Sequence, residues 1–542
     1  MIRHFVFTRH AFNSMANVIR EPCAEGVMLS SKKGTPCTQR QRGWILAATI
    51  LASSMAFIDG TVVNVALPSL QKNLDATVIG VQWVVEAYSL FLSALLLVGG
   101  SLGDRYGRKL IFLIGVALFA TASIACGVAV NIDQLIVARA VQGGGGALLV
   151  PGSLAIISAS FPPDQRGRAI GTWSGFSAIT TAIGPVLGGW LIEHVSWRAV
   201  FFINVPMAAA VLVISLWHVP ESRDQAESGG LDWLGAFLAT TGLGALVFGL
   251  IESSRVGFGN PIVAGCLIAS AVLLLAFVFN ETRARNPMLP LKLFRSRDFG
   301  GANLLTLLLY AALGGSLFFL TLNLIQVQGY SATAAGASFL PFVLIMFTLS
   351  RWSGGLVDRF GSRLPLIAGP LIAAAGFALF MLPGQSSRYW TSFFPAVVVL
   401  GLGMAIAVAP LTTTVMSSVN ESQSGVASGI NNSVSRTAGL LAIAIFGVVL
   451  LQTFSSRFEQ RLAAIPLPKD VRQSLLDGRT KLGGLELPPN LDVETTKQLK
   501  QAIATSFVSG YRLIMFLAAC LAAGSAVSAW LMIGRKKERR SD

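Results

Sequence analysis

Four ionisable residues, Asp59, Glu86, Arg139 and Arg436, stand inside stretches of sequence that are otherwise apolar. A charge at the centre of a bilayer costs ~2.5–3.5 kcal/mol even on the lenient insertion scale, so each of them needs a partner or a function. At 1.5 Å of helix rise per residue, Asp59 lies roughly 13 Å below the outer end of its stretch, and Glu86 and Arg139 roughly 8 Å below theirs. All three fall in the outer half, at depths close enough to interact. A carboxyl group so placed is pulled two ways, because desolvation raises its pKa and a neighbouring cation lowers it. We expect Asp59 to exchange a proton and Arg139 to tune that exchange, so that separating them converts Asp59 from proton donor to acceptor. A static Asp59–Arg139 pair that only holds two helices together is the alternative. For Glu86 the roles open are a second proton carrier, an attractor of cationic substrates, or a residue facing an outer vestibule. Arg436, with Asn431 and Asn432 one turn away, either faces a cavity or caps a neighbouring helix.

The composition fixes the setting. Of 542 residues, 53% are hydrophobic and 12% charged, and the mean hydropathy is +0.66. A soluble domain carries about 25% charged residues, so the chain reads as all-α and integral to a membrane. The net charge of +15 is spread over alternate loops and the termini, with no basic face interleaved with aromatics, so nucleic acid is not a partner. Cys23, Cys37, Cys126, Cys266 and Cys520 are scattered and the histidines number four, which points to neither disulfide nor metal site. Gly143–Gly146 are not followed by Lys-Ser/Thr and lie within a span, so they are a close-packing surface and not a phosphate loop. No nucleophile–base pairing suits an enzyme, and no cofactor is expected. Energy must then come from an ion gradient.

Spans of about 20 apolar residues read at 44–68, 80–102, 110–130, 135–159, 168–192, 198–218, 231–251, 261–280, 301–324, 334–356, 365–383, 391–415, 425–451 and 508–533, fourteen in all. Arg105, Arg108, Lys109, Arg166, Arg168, Arg283, Arg285, Lys292, Arg295, Arg297 and the tail Arg535–Arg540 mark one side as cytoplasmic, with both termini on it. Residues 1–43 are then a cytoplasmic tail, or begin before the true start, since Met15 and Met28 are alternatives. The loop 454–505 falls outside, with amphipathic stretches Phe458–Leu462 and Val471–Leu476. These form surface helices on the outer mouth or a dock for a periplasmic adaptor.

The stretch Gly99–Leu110, GGSLGDRYGRKL, returns as Gly354–Leu364, GGLVDRFGSRL, at an offset of 254 residues. Gly100, Leu102, Asp104, Arg105, Gly107 and Leu110 are matched by Gly354, Leu356, Asp358, Arg359, Gly361 and Leu364. Gly99, Gly100 and Gly103 remove side chains so that another helix can approach, and Asp104 is placed to meet the positive end of a neighbouring helix. We expect a conformational switch built from Gly100, Gly103, Asp104, Arg105, Gly107, Arg108, Asp358 and Arg359. Ala169–Gly171 recurs as Ala427–Gly429, an offset of 258, under which Ala178 is the counterpart of Arg436. Two parallel six-helix repeats follow, 44–218 and 301–533, with two additional helices and their linkers in 219–300 and a basic tail at 534–542.

With these loops the chain resembles the major facilitator superfamily. Ile58-Asp59-Gly60-Thr61-Val62-Val63-Asn64-Val65-Ala66-Leu67-Pro68 resembles the first-helix signature of its fourteen-helix drug:proton antiporters (EmrB/QacA type). Arg139-Ala140-Val141-Gln142-Gly143 resembles the fourth-helix arginine motif. Gly171, Gly184, Pro185, Gly188 and Gly189 resemble the antiporter motif of the fifth helix, with Thr180 where a further glycine is usual. Ser362 replaces the cation that stands at Arg108. Trp197-Arg198, Asn204-Val205-Pro206, Asp232-Trp233-Leu234-Gly235 and Leu293-Phe294 are further likenesses. The resemblance implies a bacterial inner-membrane exporter that moves small amphipathic drugs or toxic compounds against protons by alternating access. It also implies a cavity wall with little polar content, for which Asn64, Gln142, Asn303, Asn323, Gln326, Thr412 and Arg436 are candidates. A dedicated exporter of one metabolite or lipid fits the same scaffold, and a non-transporting membrane sensor is a third reading.

Overall fold

A computed structural model of the chain describes residues 39–222, 232–284, 287–385, 387–419, 424–488 and 491–534. The expected tails, 1–43 and 534–542, thus lie almost wholly outside the described residues. The first half contains α1 (Gln39–Asn73), α2 (Val78–Tyr106), α3 (Arg108–Val128), α4 (Ile132–Ser160), α5 (Pro163–His194) and α6 (Asn204–His218). Two further helices follow, α7 (Trp233–Val256) and α8 (Pro261–Arg283). The second half contains α9 (Arg297–Leu322), α10 (Leu340–Gly354), α11 (Arg363–Leu379), α12 (Phe394–Ser417), α13 (Ser424–Ala463) and α14 (Val493–Met532). Short polar side chains set where several of these begin, as helix N-caps should. Asn131 Oδ1 accepts the Gln134 N–H at 2.9 Å, Asp232 Oδ1 accepts that of Gly235 at 2.7 Å and Asp492 Oδ2 accepts that of Thr495 at 2.9 Å.

Among the described residues, twelve helices are long and apolar enough to cross a membrane. Two helices fall outside that set, α5 and the shorter apolar α11, and they stand where the fifth and eleventh spans were expected. The chain is a multi-pass membrane protein, all helical where described.

The duplication is visible in the packing. In the first half α4 lies against α2 and α3, and α1 against α5 and α6; in the second, α12 lies against α10 and α11, and α9 against α13 and α14. The two loops with the repeated Gly-Asp-Arg pattern also close alike. Gly107 (φ +123°) and Gly361 (φ +73°) adopt left-handed backbone, where a Cβ would be strained. Their N–H groups donate to the carbonyls four residues back, Gly103 at 3.0 Å and Val357 at 2.9 Å. The α7–α8 hairpin sits beside the halves, with α7 touching α2 and α13.

We call the end bearing residues 464–492 the outer end, following the charge distribution. The expected loop 454–505 is shorter than the sequence indicated, because α13 and α14 are each 40 residues long and run past the apolar spans. The cause is a seam at helical spacing. Phe454, Phe458 and Leu462 on α13 and Leu499, Ile503 and Phe507 on α14 are all buried, and the Phe454 and Phe458 rings stack at 5.4 Å. Residues Val471–Leu476 fall in the short helix Lys469–Asp477, as their pattern indicated. Hydrogen bonds between described residues of the two halves gather at this end. Gln71 Nε2 donates to the Lys481 carbonyl at 3.0 Å, Gln326 Nε2 to Gln71 Oε1 at 2.9 Å and the Thr333 N–H to Glu193 Oε1 at 2.7 Å. Lys481 Nζ meets Asp75 at 2.6 Å, and its hydrogen bond and charge hold that carboxyl below the ordinary carboxylate range.

Phe458→Ala opens the seam and, as for other buried aromatic truncations, costs about 3–5 kcal/mol. We expect a lower Tm in detergent and faster proteolysis between 464 and 492, with the remaining helices intact by circular dichroism.

Candidate functional site

The site is a polar cage in the first half. Asp59 on α1 is fully buried, as are Gln142 on α4, Ser123 on α3 and Asn204 at the start of α6, while Arg139 on α4 is 1% exposed. Arg139 and Gln142 are three residues apart and so share one face of α4. Arg139 Nη1 is paired with Asp59 Oδ2 and also donates to Gln142 Oε1 at 2.7 Å. The other Asp59 oxygen accepts from Gln142 Nε2 at 2.8 Å and from Asn204 Nδ2 at 3.2 Å. Both amides continue to Ser123 Oγ, at 2.7 Å and 3.0 Å. Arg139 Nε donates to the Val84 carbonyl of α2 at 3.0 Å, and its guanidinium lies 4.2 Å from the centre of the Tyr88 ring. Every charge in the cage is therefore met by an opposite charge or a directed dipole, which a buried ion pair requires if it is not to be a net cost. Chemically, this is a buried carboxylate held by one cation and two amide donors.

Glu86 does not join it. Val84 and Tyr88 are four residues apart and face the cage, whereas Glu86 lies two from each and turns to the other side of α2. Its carboxylate is fully buried and neither oxygen has a hydrogen-bond partner among the described residues. From the sequence Glu86 was placed by its position along the span, and helical face was not considered. Arg436, on α13, is half-buried and close enough to Tyr88 for the two to interact electrostatically. Asn431 Nδ2 donates to Asn303 Oδ1 at 3.2 Å and to Thr306 Oγ1 at 2.7 Å, tying α13 to α9. The cavity candidates are dispersed. Gln142 belongs to the cage, Asn64 is half-buried with an unpartnered oxygen, Asn323 is buried in a π-turn and accepts from Gln328 Nε2 at 3.4 Å, and Gln326 is a cross-link at the outer end.

At the inner end, the side chains of Asp104 and Asp358 lie outside the described residues, as does Gly171 in its surroundings. The carboxylate found at the start of α3 is that of Glu221, which follows α6. Its oxygens accept the N–H groups of Lys109 at 3.1 Å and Leu110 at 3.2 Å, the geometry in which a helix N-terminus favours an anion. Arg108 donates its own N–H to the Ser222 carbonyl at 3.0 Å, and the Arg105 guanidinium lies 5.4 Å from the centre of the adjacent Tyr106 ring. Gly100 is half-buried, Gly103 is buried and Arg359 is exposed. The fifth-helix glycines are close-approach positions. A Cβ at Gly184 would strike Thr61, one at Gly188 Val62, and one at Gly189 the backbone of Thr333 in the second half, while the Pro185 carbonyl leaves no room for a Cβ at Gly336. Gly143 and Gly145 likewise meet the backbones of Tyr88 and Phe119.

Ser123, Asn204, Tyr88 and Glu221 were not picked out as site residues from sequence. Ser123 and Asn204 each carry the signal of a hydrogen-bonding side chain inside an apolar span, and Asn204 also opens the Asn204-Val205-Pro206 likeness.

Two six-helix halves of repeated packing, with a caged ion pair buried in one of them, are the architecture of a multi-pass membrane transporter. The chain belongs to the Major Facilitator Superfamily, whose family model matches residues 49–443. It is 33% identical over 92% of its length, and 93% of the relative's, to the tetracenomycin C resistance and export protein of Streptomyces glaucescens. It is 34% identical to the multidrug resistance protein Stp of Mycobacterium tuberculosis, covering 90% of this chain and 91% of that one. Among solved structures, a bacterial homologue of the human lysosomal transporter Spinster shares the fold at a TM-score of 0.63 and 16% identity, over 91% of this chain and 98% of that one. The xylose transporter XylE from E. coli does so at 0.54 and 13%, over 91% and 97%.

Gln142→Leu removes donors to both Asp59 and Ser123 inside a buried cage, and we expect a loss of about 1–3 kcal/mol. Glu221→Gln weakens only a charge–dipole contact at an exposed helix end, for about 0.3–1 kcal/mol. Thermal unfolding of the two variants in one detergent should rank them in that order.

Proposed function

We propose that this chain is a proton-coupled antiporter that exports amphipathic drugs or toxic compounds across a bacterial inner membrane. In this reading it has fourteen spans, α1–α14, with both termini in the cytoplasm and the 464–492 segment outside. The observation that carries the reading is the caged Asp59. Desolvation and the Arg139 cation act on a carboxyl in opposite senses, so a movement of α1 against α4 switches Asp59 between holding and releasing a proton. Joins at the outer end between α5 and the segment ahead of α10 support a cycle in which the halves hinge open at the inner end, with α7–α8 at the side. Each proton that crosses is worth ~2.3 kcal/mol per 100 mV, enough to sustain roughly a 50-fold gradient of a neutral compound. The names of the relatives support drug export. They also favour a narrower second reading, since several are named for one compound each, tetracenomycin C, methylenomycin A or puromycin.

The test is dye efflux in inverted vesicles under an imposed pH gradient. We expect wild type to transport and Asp59→Asn, equally expressed and folded, to lose at least about a hundredfold in rate, the low end of what proton transfer by a positioned carboxyl contributes. Equal transport by both would remove Asp59 from the coupling. Transport of one compound class alone, from a broad panel, would select the dedicated exporter.

A further inference from the structure

Arg436 is an interior charge that the Asp59 cycle does not use. It stands twelve residues into α13, which begins at Ser424, about 18 Å along the helix axis from its inner end. It is half-buried, and between described residues the ion pairs are Arg139–Asp59 and Lys481–Asp75, neither of which includes it. No hydrogen bond involves its guanidinium among the described residues. The group close enough to interact with it is Tyr88, a neutral phenol whose hydroxyl donates to the Ala56 carbonyl at 3.3 Å. Among the described residues, the two carboxylates within the first-half spans are committed or turned away. Asp59 is held by Arg139, and Glu86 points from the face of α2 opposite Tyr88. Asn431, just over one turn along α13, is bound to α9, so the described polar side chains beside Arg436 that are left open include the exposed Asn432 and Ser433, whose hydroxyl has no partner among the described residues.

An unpaired cation inside a membrane protein has lost hydration without gaining a counter-ion, which costs several kcal/mol. Such a site gains most from an anion, and a guanidinium fork fits the two oxygens of a carboxylate better than an ammonium would. We propose that Arg436 recognises an anionic group on the transported compound, so that the favoured substrates are amphipathic organic anions, a carboxylate on a bulky apolar body being the best match. This rests on the export reading and names its substrate class. The counterpart of Arg436 in the first half is Ala178, so the charge belongs to one half only and would hold the anion against α13.

The test uses purified full-length protein and three fluorescent probes with one pyrene core, carrying butanoate, its methyl ester, or a trimethylammonium chain. Wild type should bind the carboxylate at least about tenfold more tightly than the ester, as expected for one charge-assisted hydrogen bond. Arg436→Gln should abolish that preference while leaving the ester's Kd within about twofold, and Arg436→Lys should keep part of it. Three results would overturn the proposal: wild type binding the ester or the cation as tightly as the carboxylate, no binding of the carboxylate, or equal weakening of carboxylate and ester in Arg436→Gln. The wild-type comparison stands even if a variant does not fold. The same probes in inverted vesicles separate the two ideas, because a binding preference without transport of any probe contradicts the export reading alone.

Discussion

The structure depends on the cost of keeping Asp59 and Arg139 out of water. A buried pair survives only when each charge is neutralised and its remaining hydrogen-bonding positions are filled. Here that demand recruits Gln142 from the same helix, Ser123 from α3, Asn204 from α6 and a backbone carbonyl from α2. Five helices of one half are thus tied to a single carboxylate. A change at that carboxylate is felt across the half, and a movement of any of those helices is felt at the carboxylate. That reciprocity is what a coupled transporter needs.

Glycine makes the arrangement geometrically available. Helices in lipid associate through close packing, since burying apolar surface between them gains little when the tails are equally apolar. Gly143 and Gly145 bring α4 against the backbones of α2 and α3, so that Arg139 can reach both Asp59 and Val84. On the other side of α1, Gly184 and Gly188 seat α5, and Gly189 and Pro185 meet the second half at the outer end. The fifth helix therefore touches both the half that carries the acid and the other half.

Much of this was legible in the sequence because membrane proteins constrain it so tightly. Twenty-residue apolar runs, alternating basic loops and the paired Gly-Asp-Arg stretches gave the helices, the duplication and the family, and the cost of intramembrane charge singled out Asp59 and Arg139. What was not legible depended on three-dimensional facing. Glu86 was placed by its position along a span, and it lies on the face of α2 away from Tyr88. Gln326 is polar and near a span end, yet it binds Gln71 across the outer seam. Ser123 and Asn204 look unremarkable until α3 and α6 are placed beside α1. Glu221 is far in sequence from the helix start it occupies, and only the return of the chain after α6 brings it there. The expected loop is shorter because Phe454, Phe458 and Leu462 extend a helical stripe beyond the apolar run, a continuation that a span-length rule does not detect.

The central claim is that the caged Asp59 carboxyl changes protonation during the cycle. Infrared difference spectra of purified protein, recorded through a pH titration with and without a transported dye, read that carboxyl directly. The account predicts a carboxyl stretching band that titrates, shifts when the dye binds, and is missing from Asp59→Asn. A band that persists in Asp59→Asn, or a wild-type spectrum in which no carboxyl responds to the dye, would contradict it.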